Sequence, residues 1–222
     1  LLFGATGLVG GHCLEYLLEH PAYQEVRVFG RRRLGMEHEK LREFIIDFDQ
    51  LESYGDDMRG DDVFSCLGTT RRKAGSKKAF YKVDFTYAYE TARLAVENGA
   101  NQLLLVSSVG ADPDSFFFYS RVKGRLERAV QELPFWSIHI FRPSVLLGER
   151  NENRWGEELA GQITRGVDNL TGGLLSRYRP IEAEVVAQAM VNAAQRFNSG
   201  THIIPSNRLQ EIAEEESGVV KS

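Results

Sequence analysis

Three side chains in the middle of the sequence have the types and spacing that proton transfer requires. Tyr119 and Lys123 are four residues apart at the start of a predicted helix, so both side chains project from one face of it. An ammonium group close to a phenol lowers the phenol pKa from its usual value of about 10, which suits Tyr119 as a general acid or base. Ser107 and Ser108 stand at the end of a predicted strand, and a serine hydroxyl from there can bind the same substrate oxygen and stabilise its developing charge. These residues predict acid–base catalysis of hydride transfer at a carbonyl or an alcohol.

The same residues also have an ordinary structural interpretation. A tyrosine and a lysine at helical spacing are commonly a surface pair, and two serines after a strand commonly form a helix cap or a turn. The catalytic interpretation therefore depends on a second motif, a cofactor-binding loop elsewhere in the chain.

That second motif is the N-terminal stretch LLFGATGLVGG, which runs from an apolar strand through a glycine-rich turn into an amphipathic segment. Its glycines Gly4, Gly7 and Gly10 are spaced three apart. One glycine allows a tight exit from the strand, one lets the backbone approach a pyrophosphate, and one lets the helix pack closely on the sheet. The free N–H groups of the helix N-terminus attract the phosphates. The stretch therefore predicts a dinucleotide-binding site.

The residues after the second predicted strand indicate which dinucleotide binds. Folds that prefer NAD carry an acidic residue about 20 positions beyond the loop, whereas an arginine there accommodates the 2′-phosphate of NADP. Gly30 occupies that position, and Arg31, Arg32 and Arg33 follow it directly. We therefore expect NADPH to be preferred over NADH by about tenfold to a thousandfold. A solvated arginine run is the alternative.

Short apolar runs alternate with longer helical patterns along the chain, which is typical of a parallel sheet covered by helices. The predicted strands are Leu1–Phe3, Val26–Phe29, Glu43–Ile46, Asp62–Cys66, Gln102–Ser107, Ser137–Arg142 and Thr201–Ile204. The predicted helices are Gly11–His20, Gln50–Tyr54, Lys77–Asn98, Tyr119–Glu132, Trp155–Arg165 and Ile181–Asn198, with helical composition also over Leu209–Ser217. We expect a single α/β domain over residues 1–222, a doubly wound parallel sheet (Rossmann fold) whose residues 149–222 form a small C-terminal substrate-side extension.

Composition and charge restrict the classes of partner. A net charge of -4 and a pI of about 5.8 give no reason to expect nucleic acid or an anionic membrane surface. No apolar run reaches the roughly 18 residues of a membrane span, and the chain opens inside a strand, with no signal peptide to interpret. Cys13 and Cys66 fit reduced core thiols of a cytoplasmic protein. His139 and His202 are expected to be packed histidines, and no metal site is expected.

One local charge cluster departs from this overall balance. The loop Leu67–Lys78, LGTTRRKAGSKK, follows the fourth predicted strand and is densely basic from Arg71 onward. It is either a solvated loop or a grip for an anionic cofactor or substrate, and the sequence leaves both interpretations open.

The two motifs together resemble the short-chain dehydrogenase/reductase superfamily, which combines a glycine-rich cofactor loop with a Ser, Tyr-x-x-x-Lys group. The G-x-x-G-x-x-G spacing is similar to its extended and atypical branches. Four further segments resemble the atypical Tat-interacting-protein family: CLGTTRRKAG at Cys66–Gly75, SSVGAD at Ser107–Asp112, YSRVKG at Tyr119–Gly124 and FRPSVLLG at Phe141–Gly148. The resemblance extends through Gly148 and weakens afterwards.

This resemblance implies roles for individual residues. Ser108 would bind the carbonyl oxygen, Tyr119 would act as the acid or base, and Lys123 would bind the ribose and lower the tyrosine pKa. The resemblance and the loop positions together predict a cofactor-binding set, namely Gly4, Thr6, Gly7, Leu8, Val9, Gly10, Arg31, Arg32, Asp47, Leu67, Gly68, Thr69, Tyr119, Lys123, Pro143 and Ser144.

Two departures from the family pattern limit these implications. Asp84 stands where many extended members carry Asn, which puts a proton relay through that position in doubt. The chain after Gly148 is also shorter than the substrate domain of sugar-nucleotide epimerases, so we expect a reduced substrate lid. Trp155, Tyr178 and Phe197 either line what remains of the pocket or belong to the core.

Three functions are compatible with these residues. The leading hypothesis is an NADP-dependent oxidoreductase acting on a small carbonyl or alcohol. The alternatives are an NADPH-binding regulatory or redox-sensing interaction protein without turnover and, less favoured, a sugar-nucleotide epimerase-like enzyme. A homodimer or a protein partner is possible, because Phe80, Tyr87 and Leu94 form a stripe on helix Lys77–Asn98, which packs in the dimers of many relatives. Packing on the sheet explains that stripe equally well.

Overall fold

Seven parallel strands form the sheet at the centre of the computed structural model, which describes residues 1–148, 179–196 and 198–215. The strands are β1 (Leu2–Phe3), β2 (Val26–Gly30), β3 (Leu41–Ile45), β4 (Asp62–Ser65), β5 (Gln102–Val106), β6 (Ser137–Arg142) and β9 (Gly200–Pro205). Their order across the sheet is β3-β2-β1-β4-β5-β6-β9. All seven predicted strands are present, and the prediction of a doubly wound parallel sheet is confirmed.

A second, two-stranded sheet was not predicted. It pairs β7 (Leu146–Leu147) with β8 (Ile181–Glu182) in parallel. The helix predicted over Ile181–Asn198 therefore begins two residues later, at Ala183, because Ile181 donates its N–H to the carbonyl of Val145 instead of starting the helix. Tertiary strand pairing overrides the local helical pattern here.

The described helices are α1 (Leu8–Glu19), a 3-10 helix (Phe48–Asp57), α2 (Arg71–Ala74), α3 (Lys77–Tyr81), a π-helical segment (Lys82–Tyr87), α4 (Ala88–Glu97), α5 (Phe118–Val130), α6 (Ala183–Ala194) and α7 (Ser206–Glu214). The predicted helix Lys77–Asn98 is thus α3, the π-helical segment and α4 in succession. The short helix α2 was not predicted, and Thr70 caps it by accepting the N–H of Lys73. The predicted helix Trp155–Arg165 lies outside the described residues.

Helices cover both faces of the sheet, as expected for continuous apolar strands. One core cluster packs α1, α6 and α7 against β1, β2 and β4, and the other packs α4 and α5 against the opposite face. Phe80 and Leu94 of the predicted dimer stripe are buried within this chain, while Tyr87 packs on Phe48. Core packing therefore accounts for the stripe. The homodimer stays a prediction, which sedimentation of the free protein tests.

The strand order fixes where a ligand can bind. From β1 the sheet continues to β2 and β3 in one direction and to β4, β5 and β6 in the other, so the connections diverge between β1 and β4. The carboxyl ends of these strands border a crevice, which is where open α/β sheets bind their ligands. The glycine-rich turn after Phe3 and the loop after Ser65 meet at this point.

Candidate active site

In the glycine-rich turn, the predicted phosphate-binding loop, two glycines have no room for a side chain. Gly4 has a φ of +88°, and a Cβ added to it would lie 2.5 Å from the carbonyl oxygen of Cys66. A Cβ on Gly10 would lie 2.2 Å from the carbonyl oxygen of Gly4. These contacts fit the predicted roles, a tight exit from the strand for Gly4 and close packing of α1 for Gly10.

The N-terminus of α1 fits an anionic group. Gly7 is the N-cap, it has no side chain to occupy the first N–H groups, and the first turn contains no acidic residue. The partial positive charge of a helix N-terminus is therefore not neutralised by a carboxylate from α1's own first turn. Binding of a pyrophosphate at this helix N-terminus stays a prediction.

Two adjoining cavities lie over the carboxyl ends of the strands, with volumes of about 410 and 470 Å³. Their shared described lining residues are Thr6, Gly7, Arg32, Cys66, Leu67, Gly68, Thr69 and Lys73. The larger cavity also contains Arg31, and none of the described residues lining either cavity is acidic. A cavity with three cationic side chains and no carboxylate among its described lining is suited to a ligand with several negative charges.

The three proposed catalytic residues all line the smaller cavity, where Leu8 and Gly7 of the glycine-rich turn also lie. Tyr119 is 6% exposed and packs against Phe80, with ring centroids 5.7 Å apart. Ser108 and Lys123 are each 2% exposed. The structure thus brings together the predicted acid–base group and the predicted cofactor loop from segments more than a hundred residues apart in the sequence.

Asp84 is the partner of Lys123. Its Oδ1 lies 2.9 Å from Lys123 Nζ, and its Oδ2 accepts the backbone N–H of Thr69 at 2.9 Å. Burial alone lowers the pKa of Lys123, but the negative charge of Asp84 and the interaction with Tyr119 outweigh it and raise the pKa above its usual value. The carboxylate at this position therefore holds the lysine in its charged form, a role that the sequence comparison with Asn-bearing relatives did not predict.

The π-helical segment places Asp84 between these two partners. A π-helical turn widens the helix locally, and such turns are frequent at functional sites. Asp84 lies in the middle of the segment Lys82–Tyr87 and is fully buried. It joins the loop after β4, which lines both cavities, to the helix that carries Tyr119.

Gly124 is a second residue whose role the sequence did not predict. A Cβ at this position would lie 2.2 Å from the backbone carbon of Asp112 and 2.2 Å from the nitrogen of Pro113. The N–H of Asp112 also donates to the carbonyl of Ser120. The loop after Ser108 therefore packs directly on α5, and the glycine that follows Lys123 is the sequence feature that permits this contact.

The two adjacent serines have different environments. Ser107 donates its hydroxyl to Glu127 at 2.5 Å, and Glu127 is in turn paired with Arg142. The hydroxyl of Ser108 donates a 3.3 Å hydrogen bond to the carbonyl of its neighbour Val109. The hydroxyl of Ser107 is thus bound to the buried pair of Glu127 and Arg142, which favours Ser108 as the serine that would contact a substrate. The pair Glu127 and Arg142 was not predicted, although Glu127 is one helical turn beyond Lys123.

Other predicted cofactor residues are placed as follows. Pro143 and Ser144 line the smaller cavity, and Ser144 is also held by the hydroxyl of Ser206, which accepts its N–H at 3.1 Å. Asp47 is not among the described residues lining either cavity, because its carboxylate caps the 3-10 helix by accepting the N–H of Asp49. Arg33 is likewise outside the described lining, whereas Arg31 and Arg32 belong to it.

In the basic loop Leu67–Lys78, some residues are exposed to solvent and another lines the cavities, so each of the two interpretations applies to part of the loop. Lys73 on α2 lines both cavities, while Arg71 and Arg72 are exposed and absent from the described lining. Lys77 lies over the ring of Phe118, 5.5 Å from its centre. One residue of the cluster is therefore in position to contact an anionic ligand.

The remaining predictions from the sequence are about a metal site, a membrane span and the substrate lid. Across residues 1–148, 179–196 and 198–215, no group of three His, Cys, Asp or Glu side chains is arranged to hold a metal ion. Within the same ranges, no helix combines the length and apolar character needed to cross a bilayer. Trp155, Tyr178 and Phe197 lie outside the described residues.

Known proteins resemble this chain over most of its length. The model of the NAD dependent epimerase/dehydratase family matches residues 1–204. Protein HTATIP2 of Rattus norvegicus is 37% identical over 211 residues, which cover 93% of this chain and 85% of that protein. The solved structure of MoeE5 in complex with UDP-glucose and NAD superposes with a TM-score of 0.67 at 16% identity, covering 96% of this chain and 79% of that one.

A further relative corrects one expectation and completes the assignment. Protein FMP52 of Candida albicans, named a mitochondrial protein, is 33% identical over 206 residues, covering 90% of this chain and 89% of that protein. The expectation of a cytoplasmic location is therefore wrong as it stands, because balanced charge and two reduced thiols do not distinguish between reducing compartments. The match across nearly the whole chain shows that it belongs to the NAD dependent epimerase/dehydratase family, as an atypical short-chain dehydrogenase/reductase of the Tat-interacting-protein type.

Proposed function

We propose that this protein is an NADP-dependent oxidoreductase that transfers a hydride between the cofactor and a small carbonyl or alcohol. The observation that carries the proposal is the shared cavity: Tyr119, Ser108 and Lys123 line it together with Gly7 and Leu8 of the phosphate-binding loop. A dinucleotide bound by this loop therefore has a polar acid–base group beside it, which is the arrangement that hydride transfer requires.

The binding residues divide by the part of the dinucleotide that each would hold. The N-terminus of α1 at Gly7 suits the pyrophosphate, because its N–H groups are not capped by a side chain. Arg31 and Arg32 line the larger cavity and suit the 2′-phosphate of NADP, since their planar guanidinium groups form paired hydrogen bonds with phosphate. Lys123 suits the ribose, and Pro143 with Ser144 would face the nicotinamide end.

The chemistry assigned to the chain's own residues is a proton transfer. The bound cofactor supplies the hydride or accepts it. Tyr119 gives its phenolic proton to a carbonyl oxygen during reduction and takes it back from an alcohol during oxidation. Ser108 donates a hydrogen bond to the same oxygen as its charge develops. Lys123, kept charged by Asp84, favours the phenolate form that Tyr119 takes after it has donated its proton.

A panel of substrates tests this proposal. Purified protein is mixed with NADPH and a set of aldehydes, ketones and quinones, and the loss of NADPH absorbance is followed. We expect turnover with members of the panel, and turnover lower by about 10²- to 10⁴-fold in the Tyr119→Phe variant. Protein that binds NADPH tightly yet oxidises it with no member of the panel would contradict the proposal.

The second candidate is an NADPH-binding regulatory protein without turnover. It is favoured by the ion pair between Lys123 and Asp84, because the carboxylate offsets part of the positive charge that would otherwise act on Tyr119. The two functions differ in what Tyr119→Phe changes. An enzyme loses turnover and keeps cofactor binding, whereas a regulator keeps both its cofactor binding and its partner binding.

A further inference from the structure

Two thiols lie together beneath the proposed cofactor site, and hydride transfer uses neither of them. Cys66 Sγ is 3.9 Å from Cys13 Sγ, and these are the only two cysteines in the sequence. Cys66 directly follows β4 and lines both cavities, whereas Cys13 on α1 is completely buried. A third sulfur, Met190 Sδ on α6, lies 3.9 Å behind Cys13.

The different burial of the two thiols fixes the order in which they can react. A reagent dissolved in the cavities can reach Cys66, which is partly exposed, but it cannot reach Cys13. Burial and the contact with Cys66 also raise the pKa of the Cys13 thiol, so Cys13 remains protonated. Because the thiolate is the reactive form of cysteine, chemistry at this pair begins at Cys66.

We propose that Cys66 and Cys13 form an oxidation site for hydroperoxides at the floor of the cofactor cavity. In the first step the sulfur of Cys66 attacks the peroxide, the O–O bond breaks, and Cys66 sulfenic acid forms with release of water or an alcohol. In the second step the thiol of Cys13 passes its proton to the sulfenic oxygen as its sulfur attacks the sulfenic sulfur of Cys66. The S–O bond breaks, and water leaves as the disulfide forms. The peroxide is reduced and the two thiols are oxidised, so no other reactant is needed.

Closure of the disulfide would distort the phosphate-binding loop. The sulfurs must move from 3.9 Å to a bond length of about 2.05 Å, which draws α1 and the end of β4 together. The backbone of Gly4 already lies against the carbonyl of Cys66, and Gly10 of α1 lies against Gly4. Because these segments are in close contact, we expect a shift of either one to change the geometry of the loop. This consequence depends on the cofactor site proposed above, whereas the formation of the disulfide does not.

Peptide mapping of the whole protein tests the oxidation site. The protein is treated with hydrogen peroxide, denatured, alkylated with N-ethylmaleimide and digested for mass spectrometry. We expect a cross-linked peptide pair containing Cys13 and Cys66, with an intact mass lower by two hydrogen atoms. Two alkylated thiols after peroxide treatment, or a disulfide between separate chains, would overturn the proposal. This result requires no variant, so it does not depend on whether a substituted chain folds.

Two variants test the order of the steps. Cys13→Ala removes the second thiol, so we expect Cys66 sulfenic acid to accumulate and to be trapped by dimedone. Cys66→Ala removes the entry point, so we expect Cys13 to stay reduced. Oxidation of Cys13 at an equal rate in the Cys66→Ala variant would overturn the order, because peroxide would then reach Cys13 directly.

Nucleotide binding tests the link to the cofactor site. NADP+ at saturation is expected to slow the oxidation, and the oxidised protein is expected to lose NADP+ binding until dithiothreitol restores it. Oxidised protein that binds NADP+ as tightly as reduced protein would overturn this link. A reduced protein that binds no NADP+ at all, but still forms the disulfide, would contradict the proposed function and leave the oxidation site supported.

Discussion

The carboxylate of Asp84 contacts Lys123 Nζ at 2.9 Å, and both side chains are almost completely removed from solvent. This pair connects the π-helical segment of the central helix to the helix that carries Tyr119. Because Asp84 also accepts the N–H of Thr69, it links the lysine to the loop that lines both cavities. We therefore expect Asp84 to be a positioning residue for the proposed acid–base group.

Replacing Asp84 by Asn tests this assignment. The amide oxygen can still accept the N–H of Thr69, but the amide is neutral and no longer balances the positive charge of the buried Lys123 ammonium. Breaking a buried ion pair typically costs about 3 to 5 kcal/mol, which urea unfolding measures. The desolvation of Lys123 is then opposed more weakly, because the charge of Asp84 is lost, so the pKa of Lys123 falls and the alkaline loss of activity moves to lower pH. A pH–rate profile with NADPH records this shift, which a purely structural role would not produce.

Asp49→Asn is the matched control for this substitution. Asp49 also pairs with a lysine of the same helical stretch, Lys82, at 2.6 Å, but both side chains are about half exposed. Exposed pairs contribute little to stability because water and salt screen them. We expect little change in unfolding and an unchanged pH–rate profile. If the two variants behave alike, the special role of Asp84 is refuted.

Tyr119→Phe removes one oxygen from the site and keeps the ring that packs on Phe80. General acid–base catalysis typically contributes about 10²- to 10⁴-fold, so turnover should fall by that factor while NADPH affinity is retained. Steady-state kinetics and a fluorescence titration measure the two quantities. Tyr16→Phe is the control, because the Tyr16 hydroxyl binds Glu184 at the surface. Turnover that survives in Tyr119→Phe would remove this residue from the mechanism.

Arg31→Ala should weaken NADPH binding while sparing NADH. Arg31 lines the larger cavity, whose described lining has no carboxylate. The Arg31→Ala substitution therefore removes a positive charge that attracts the 2′-phosphate, which NADPH has and NADH lacks. Fluorescence titration of both cofactors should show NADPH preferred by about tenfold to a thousandfold in the unmodified protein. Arg33→Ala is the matched control from the same run, since Arg33 is outside the described lining. Equal affinities for NADPH and NADH in the unmodified protein would contradict the preference.

The sequence predicts those features of the fold and site that depend on nearby residues. The strand from Ser137 to Arg142 is predicted with its observed bounds because Ile138, Ile140 and Phe141 form a short apolar pattern that ends before Pro143. The spacing of Tyr119 and Lys123 and the glycines after Phe3 likewise identify the two halves of the site. The meeting of these halves follows from topology, since parallel strands deliver both segments to one edge of the sheet.

The features that the sequence does not predict depend on contacts between distant segments. Asp84 is 39 residues before Lys123, and within an amphipathic helix it is indistinguishable from a surface carboxylate. The close contact of Gly124 with Asp112 depends on where a loop crosses a helix. The pairing of Leu146 with Ile181 also depends on a distant segment, because a partner strand holds residues extended that would favour a helix locally.

Gly10 and Gly11 are adjacent in α1, yet alanine should have opposite effects at the two positions. A Cβ at Gly10 would lie 2.2 Å from the backbone of Gly4, so Gly10→Ala must displace the phosphate-binding loop. A Cβ at Gly11 meets its nearest atom at 3.6 Å, an ordinary contact, and Gly11→Ala gains about 0.5 to 1 kcal/mol of helix stability. Urea unfolding and NADPH titration should show loss of both properties in the first variant only. A Gly10→Ala protein that binds NADPH normally would contradict the close packing of the loop.

His139 should make the protein less stable in acid. Burial, together with the nearby His202 and Arg196, lowers the pKa of His139 to about 4 in the folded protein, against 6.5 when unfolded. Above pH 6.5 neither state holds the proton and stability is unaffected, but between pH 6.5 and 4 only the unfolded chain binds it. The free energy of unfolding should therefore fall through that window by as much as about 3 kcal/mol. His139→Gln, which can still bond to Ser137, should flatten this slope, whereas the exposed control His38→Gln should leave it unchanged. Urea unfolding at a series of pH values measures the slope, and an equal slope in both variants would show that other groups cause the acid sensitivity.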